Sequence, residues 1–220
     1  MDAGMKLYRA DGSLVNVKGT KRGAIANFKH LPDYSNLVLA GKVWKAQDTT
    51  TTAVLVAIPT TVSGLTVQNP ASSGKFYVVY ALSAYVDVVG AGLAMVSSFH
   101  CVHNLPIAAL TRDFGTGATG AGSAHSLLAG GGGYHGSIIL DRGATVVDDG
   151  WTPTPVQIVS NIATTNFVSM EAALVTPVII PPGGHYSIAG VATVVTYEAG
   201  WGLTWAELDF DDLDDDNDEE

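Results

Sequence analysis

Hydrophobic residues recur at every second position along much of the chain, and two is the side-chain period of a β-strand. The clearest case is the closing segment, where Trp201, Leu203 and Trp205 alternate with small or polar residues. Further strands are predicted, in chain order, at 37–44, 49–58, 65–67, 138–140, 156–159, 178–180 and 186–188. Almost no segment has the 3.6-residue period of an amphipathic helix.

The segment 76–81 is apolar or aromatic at every position and predicts a central strand that is buried on both faces. The apolar stretch continues to Phe99 and has the length of a membrane span. Asp87 interrupts it, and Gly90 and Gly92 occur there among β-branched and aromatic residues. Two strands are therefore the better interpretation, and no membrane partner is expected.

Turn sequences separate these strands. Asp11 and Gly12 lie between two short alternating segments and predict an N-terminal hairpin. The clusters at 69–74 and 181–184 predict tight connections. The segment 115–136 is dominated by Gly, Ala, Ser and Thr, and a loop of that length in a compact domain is usually functional or mobile.

Strands and turns at this spacing predict an all-β chain whose main domain is a single jelly-roll-like β-sandwich. We expect this domain at 36–208 and a disordered acidic tail at 209–220. An N-terminal hairpin or arm precedes it at 1–35, with either extended chain or a short helix at 24–29. The length of 220 residues fits one such domain.

The amino-acid composition predicts a domain with a large core and a surface poor in charge. Hydrophobic residues make up 47% of the chain and charged residues 15%. Such a surface is either rich in Thr, Ser and Gly or partly buried against partners. The single cysteine, Cys101, excludes an intrachain disulfide and fits an intracellular folding environment. Because the first residues lack a long apolar segment, we do not expect secretion through a signal peptide.

Charge is concentrated at the two ends. The formal net charge is −10, and ten acidic residues without a base occur from Glu207 onward, which leaves 11 acids and 11 bases in the rest. Eight of the bases lie in the first 45 residues, against three acids. We therefore expect the termini to make salt-dependent partner contacts, with Lys21, Arg22, Asp211 and Asp212 as candidate contact residues.

Two interpretations of the acidic tail stay open: a solubility tail, and a contact with a basic surface such as the N-terminal segment of a neighbouring subunit. Nine like charges in 209–220 repel one another and favour disorder. The tail has Asp214 where a calcium-binding loop needs Gly at its sixth position. The basic segment lacks the charge density and stacking aromatics of a nucleic-acid arm, so no nucleic-acid partner is expected.

No metal or cofactor is predicted. His100 and His103 flank Cys101, but in a strand the two imidazoles would point to opposite faces, and no spacing in the chain supplies further zinc ligands. We expect these histidines in a turn after Phe99, partly exposed. The run at 130–133 is not followed by the Lys-Ser/Thr pair that a phosphate-binding loop needs.

Catalysis is not predicted either. Cys101 has no base except its sequence neighbours, and the chain has no Gly-x-Ser-x-Gly sequence for a serine nucleophile. The acids of the body are scattered, so a hydrolase would need two carboxylates that come together only in the folded chain. That alternative stays open.

Three stretches carry a resemblance to a known group of proteins: 37–46, then 67–75, and finally 179–183 together with 203–207. Their Gly41 and Ala46 strand, Asn69-Pro70 turn and late Pro-Pro-Gly and Trp-x-Glu sequences resemble virion proteins of tailed bacteriophages and environmental viruses. The acidic extension after Glu207 departs from that pattern.

The resemblance implies a non-enzymatic particle component with a jelly-roll-like domain. It would be a capsid decoration (cement) protein, a minor capsid protein or a tail-attached module, made in the host cytoplasm and located in the virion. It would be a homo-oligomer, with a trimer favoured, that contacts the major capsid protein or a tail component. Jelly rolls pack side by side in shells, and extended arms add strands to neighbours.

Two other classes of function remain as hypotheses. One is a tail-associated receptor- or carbohydrate-binding module, in which loop aromatics such as Tyr134 and Trp151 stack on a sugar. The other is the hydrolase with spatially assembled carboxylates.

Overall fold

The computed structural model describes residues 5–8, 14–17, 35–55, 57, 63–88, 92–103, 110, 124–134, 136–147, 150–162, 167–192 and 197–209. The chain forms two compact units, Met1–Ser35 and Asn36–Glu220. In the first unit, β1 (Met5–Tyr8) pairs antiparallel with β2 (Leu14–Val17), as the two strands of the predicted hairpin would. The turn predicted at 11–12 and the segment 24–29 lie outside the described residues.

The rest of the chain is almost entirely β-structure. The elements are α1 (Ser35–Leu39), β3 (Val43–Gln47), β4 (Thr52–Ala53), β5 (Leu65–Gln68), β6 (Lys75–Val88), β7 (Gly92–Val102), β8 (His125–Ser126), β9 (Ile139–Asp141), β10 (Thr152–Ile162), β11 (Phe167–Ile180), β12 (His185–Ala192) and β13 (Tyr197–Asp209). No helix in the described part of the chain is long and apolar enough to span a membrane.

Two antiparallel sheets pack as a sandwich. One has the order β11-β6-β13-β3-β8, with β4 also paired to β13, and the other has the order β10-β7-β12-β5-β9. With β4, β8 and β9 set aside, eight strands remain, and their chain order across the two sheets is 6-3-8-1 and 5-4-7-2. That arrangement is the double Greek key of a jelly roll. The predicted fold is therefore confirmed.

The core lies between the two sheets and has the pattern that the sequence predicts. Trp201, Leu203 and Trp205 of β13 are at most 2% exposed and belong to one hydrophobic cluster. The same cluster includes Tyr186 of the facing sheet. Strand β6 lies between β11 and β13, which confirms the predicted central strand.

The prediction of a strand from residue 37 was wrong in its first part, because residues 35–39 form the short helix α1. The helix ends on Gly41, which has a φ of 72°. Lys42 N–H donates to Leu37 C=O and Gly41 N–H to Val38 C=O, each at 2.9 Å, which is the Schellman pattern of a helix C-terminus. Two alternating leucines were too short a pattern to separate strand from helix.

The long connection between β7 and β10 closes one side of the sandwich. Its strand β8 pairs with β3, and its strand β9 pairs with β5, so both sheets are extended on that side. Sheet edges expose unpaired N–H and C=O groups that invite strand addition, and such extensions cover them. The Gly-rich loop predicted at 115–136 contains this β8 segment; its residues 115–123 and 135 lie outside the described part.

Candidate functional site

The three stretches that carry the sequence resemblance meet at one end of the sandwich, around Glu207. Trp205 and Glu207 point to the same face of β13 because strand side chains alternate. The alternation that buries Trp205 therefore also turns a carboxylate inward, and Glu207 is only 6% exposed. Its backbone N–H donates to Lys42 C=O at 3.0 Å, which ties the end of β13 to the start of β3.

Donors from three parts of the chain surround the Glu207 carboxylate. The Tyr134 hydroxyl donates to Oε1, the indole N–H of Trp205 lies 3.5 Å from the same oxygen, and Lys75 Nζ lies 3.3 Å from Oε2. A buried carboxylate is tolerated only when it is paired and hydrogen-bonded. We call Glu207, Lys75, Tyr134 and Trp205 the Glu207 cluster.

Tyr134 brings the inserted connection into this cluster. It is 1% exposed, its ring packs edge-on against Trp44 and Trp205 at centroid distances of 5.1 and 5.4 Å, and its oxygen accepts from Ile138 N–H at 3.1 Å. Burial, and then the negative charge of Glu207, raises the pKa of the Tyr134 phenol, so the hydroxyl stays a donor. Gly136 permits the close approach, because a Cβ there would lie 2.1 Å from the Tyr134 hydroxyl oxygen.

Asn69 joins the two predicted turns to each other at the same end. Its N–H donates to Gly184 C=O at 3.0 Å, and its C=O accepts from Gly183 N–H at 2.7 Å. Its side-chain amide donates to Lys75 C=O and Ile180 C=O at 2.7 and 2.8 Å. The order and spacing of the motif residues thus have a structural reason, since they hold the ends of four strands together.

The two loop aromatics considered for stacking on a sugar, Tyr134 and Trp151, are both buried. Tyr134 is used inside the Glu207 cluster, and Trp151 is 8% exposed and packs with Cys101, Val146 and Ala189. A sugar stacks on an accessible ring face, and little of either residue is accessible to solvent. The remaining predicted contact residues, Lys21, Arg22, Asp211 and Asp212, lie outside the described part of the chain.

His100 lies on β7, which continues to Val102, and His103 directly follows that strand, so the prediction of a turn after Phe99 was wrong. As predicted, they point to opposite faces: His100 Nδ1 lies 2.9 Å from the Tyr186 hydroxyl and His103 Nε2 lies 2.7 Å from Ser187 Oγ. Burial lowers the pKa of His100. Among the described residues, no group of three or more His, Cys, Asp or Glu side chains is placed to hold a metal ion.

A second polar constellation, which the sequence did not reveal, lies on the outward face of the six-stranded sheet. A cavity of about 350 Å³ is lined there by side chains of three strands. We call it the outer groove; its outward-facing side chains are Lys45 and Gln47 of β3, Ser83 and Tyr85 of β6, and Ser169 and Glu171 of β11. A cavity of about 310 Å³ lies elsewhere, beside β4 and Trp201, and has no charged side chain among its lining residues.

An ion pair and a hydrogen bond cross the outer groove. Lys45 Nζ lies 2.6 Å from Glu171 Oε2, and Ser83 Oγ donates to Gln47 Oε1 at 2.7 Å. Each of these side chains occupies an alternate position on its strand, which predicts an outward face. The sequence could not show that the three strands lie side by side.

A partly buried ion pair joins the two sheets on the closed side. Asp48, at the end of β3, is 3% exposed, and Arg142 follows β9 of the other sheet. Arg142 Nε donates to Oδ2 at 2.7 Å and its terminal nitrogen donates to Oδ1 at 3.2 Å, a bidentate geometry that favours Arg over Lys.

No protein family, curated protein or solved structure matches this chain. The jelly-roll fold by itself hosts many functions, so functional inference rests on the surfaces and sites described above.

Proposed function

We propose that this protein is a non-enzymatic structural component of a virus particle that assembles with further copies of itself. The most specific form of the proposal is a capsid decoration (cement) protein or a minor capsid protein, with a trimer as the expected homo-oligomer. Its other partners would be the major capsid protein or a tail component, and its location the virion. The observation that carries the proposal is the difference between the two sides of the sandwich.

One side of the sandwich is covered and the other exposes apolar side chains. On the covered side, β8 and β9 extend both sheets. On the other side, β11 has β6 as its single strand partner among the described strands. It also carries three of the seven large hydrophobic residues that are exposed in the described part of the chain. Val175 is 98% exposed, Ile179 58% and Met170 38%. Apolar surface of this kind supports a contact with another protein.

The side of the sandwich that exposes these apolar residues also has features that limit uncontrolled strand addition. The pairing of β11 with β6 shifts register between Ala173 and Val178, where Pro177 lies, and the pairing of β10 with β7 shifts between Pro153 and Gln157. Bulges and prolines blunt a sheet edge, because they interrupt the row of N–H donors. This favours a specific side-chain contact between copies over open-ended sheet extension.

Three arguments support the proposed location in a virus particle. Jelly-roll domains build many viral shells. The motif stretches resemble virion proteins, and the structure gives them a common role at the Glu207 end. The charge-poor body also suits close packing, because few charges need to be desolvated on contact.

The test measures assembly of the full-length chain. Light scattering coupled to size exclusion at micromolar concentration should give a mass of more than one subunit, and the protein should be found in purified particles. The double variant Val175→Ser/Ile179→Ser should shift the mass toward the monomer, whereas Val147→Ser, which changes another valine that is 70% exposed, should not. A monomeric wild-type chain that is absent from particles would contradict the proposal.

The hydrolase alternative has less support. Each of the two cavities described contains at most one carboxylate, and that one is Glu171. Glycoside hydrolysis by paired acids needs two carboxylates about 5–10 Å apart across a bound substrate. Glu207 and Asp209 both contact Lys75, but Glu207 is buried and its oxygens already accept hydrogen bonds from the protein.

A further inference from the structure

We propose that the outer groove is a binding site for a neutral glycan, that is, for one or two sugar rings with several adjacent hydroxyls. The proposal is independent of particle assembly, because the groove lies on the outward face of the six-stranded sheet and does not use Val175 or Ile179.

The groove exists because β13 contributes no side chain to its floor. Gly200 and Gly202 lie on the outward face of β13, between β6 and β3. A Cβ on Gly200 would lie 2.1 Å from the Tyr85 ring, and a Cβ on Gly202 would lie 2.5 Å from Ser83 Oγ. The two glycines therefore let Tyr85 and the bridge from Ser83 to Gln47 lie directly over the backbone of β13.

Strand register places the polar groups in two adjacent rows. Ser169, Tyr85 and Gly200 are opposite one another across β11, β6 and β13. Glu171, Ser83, Gly202 and Gln47 form the next row. Side chains in one row on the same face are about 5 Å apart, which matches the spacing over which one small ligand can contact several of them.

The second row offers the mixture of hydrogen-bond donors and acceptors that a polyhydroxylated ring requires. It consists of Glu171, Ser83 and Gln47, and Lys45 bonds across it to Glu171. Lys45 and the Gln47 amide donate, Glu171 and the Gln47 carbonyl accept, and the Ser83 hydroxyl does both. A sugar hydroxyl also donates and accepts, so adjacent hydroxyls can replace the internal bonds of the groove one for one.

Tyr85 supplies the apolar contact. Its half-buried ring forms one wall beside these polar groups. The C–H face of a pyranose is apolar while its edge is polar, and a tyrosine presents an apolar body with a polar tip. The cavity volume of about 350 Å³ lies at the lower end of the range for ligand pockets, about 300–1,000 Å³.

The balanced charge and the polar lining of the outer groove disfavour phosphates, nucleic acids and wholly apolar ligands. The lining contains one cation and one anion, Lys45 and Glu171, and they already pair at 2.6 Å. Phosphates and nucleic-acid backbones are held by several unpaired cations, so they lack the charge partners here. A wholly apolar ligand would leave the polar groups of the groove without partners, which costs affinity.

The experiment uses the labelled full-length protein on an array of neutral oligosaccharides. The array holds chains of two to four rings of glucose, galactose, mannose and N-acetylglucosamine, together with sulfated and sialylated oligosaccharides as anionic probes. At least one neutral probe is expected to bind. Calorimetry with that probe should then show a loss of affinity of about ten-fold or more for Tyr85→Leu and for Lys45→Met, the size expected when one good contact is removed.

Matched variants separate binding from folding. Lys42→Met makes the same change three residues earlier, outside the groove, and Thr176→Ala changes an exposed residue of β11 beyond it; both should bind as the wild type does. Glu171→Ala alters a half-exposed rim residue and keeps the test valid if Tyr85→Leu does not fold. Binding to no neutral probe, binding to anionic probes alone, or equal loss in groove and control variants would each overturn the proposal.

Discussion

The hydroxyl of Tyr134 is the smallest group whose removal tests the Glu207 cluster. Tyr134→Phe keeps the ring that packs against Trp44 and Trp205, and it removes one oxygen. That oxygen donates to the Glu207 carboxylate and accepts from Ile138 N–H. The substitution therefore removes a hydrogen bond to a charged group and leaves a buried N–H without its partner.

The two losses set the expected size of the effect. A hydrogen bond to a charged group contributes about 1.5–3 kcal/mol, and a buried donor left unpaired costs about 1–3 kcal/mol. Because the two losses share one atom and the site can relax, we expect the free energy of unfolding to fall by about 3 kcal/mol. With a urea m-value of about 2 kcal/mol/M, the midpoint should fall by about 1.5 M.

Urea unfolding at pH 7, followed by tryptophan fluorescence, measures this change. Tyr197→Phe is the matched control, since Tyr197 is 2% exposed and its hydroxyl has no hydrogen-bond partner among the described residues; its midpoint should move little. A fall below about 1 kcal/mol for Tyr134→Phe, or an equal fall for both variants, would refute the reasoning that the Tyr134 hydroxyl stabilises a buried carboxylate by a hydrogen bond.

Three further predictions follow from other parts of the structure. Burial lowers the pKa of His100 below its ordinary value of 6.5, so its neutral form contributes stability above about pH 6.5 that is lost as the pH falls through the folded-state pKa. His100→Gln should therefore reduce the loss of stability between pH 7.5 and 5 in urea titrations, and an unchanged loss would contradict this reasoning. Arg142→Lys keeps the charge opposite Asp48 but loses the bidentate geometry, and thermal unfolding should show a destabilisation of about 1–2 kcal/mol; a change within error would mean that the geometry is not used. Deletion of 209–220 should change the salt dependence of assembly in light scattering and leave the circular dichroism spectrum intact, and loss of the folded spectrum would contradict the separation of tail and body.

Part of the candidate site was readable in the sequence. The alternation that predicts Trp201, Leu203 and Trp205 on the inner face also places Glu207 there. A buried acid needs donors, so the sequence already implied a partner for it. It could not identify Tyr134 as that partner, because the contact joins residues separated by 73 positions.

The outer groove could not be predicted from the sequence, for a related reason. Lys45, Gln47, Ser83 and Tyr85 each occupy polar or amphipathic positions that alternate with buried ones, which predicts outward faces. The two-residue period of a strand predicts which face of the sheet a side chain points to, but it does not predict which strand lies next to its own. Here β13 lies between β3 and β6, and only that order brings Gly200 and Gly202 beneath the side chains.

The sequence by itself determined the class of the fold, the turns that end the strands, the inner face of the last strand and the separation of charge between the two ends. These features depend on neighbours within a few residues, where period, turn chemistry and like-charge repulsion act. Tertiary structure alone decided the strand order, the covering of one side by β8 and β9, and the convergence on Glu207. The physical reason is that antiparallel pairing joins segments far apart in the chain, and the choice among possible partners depends on how the whole core packs.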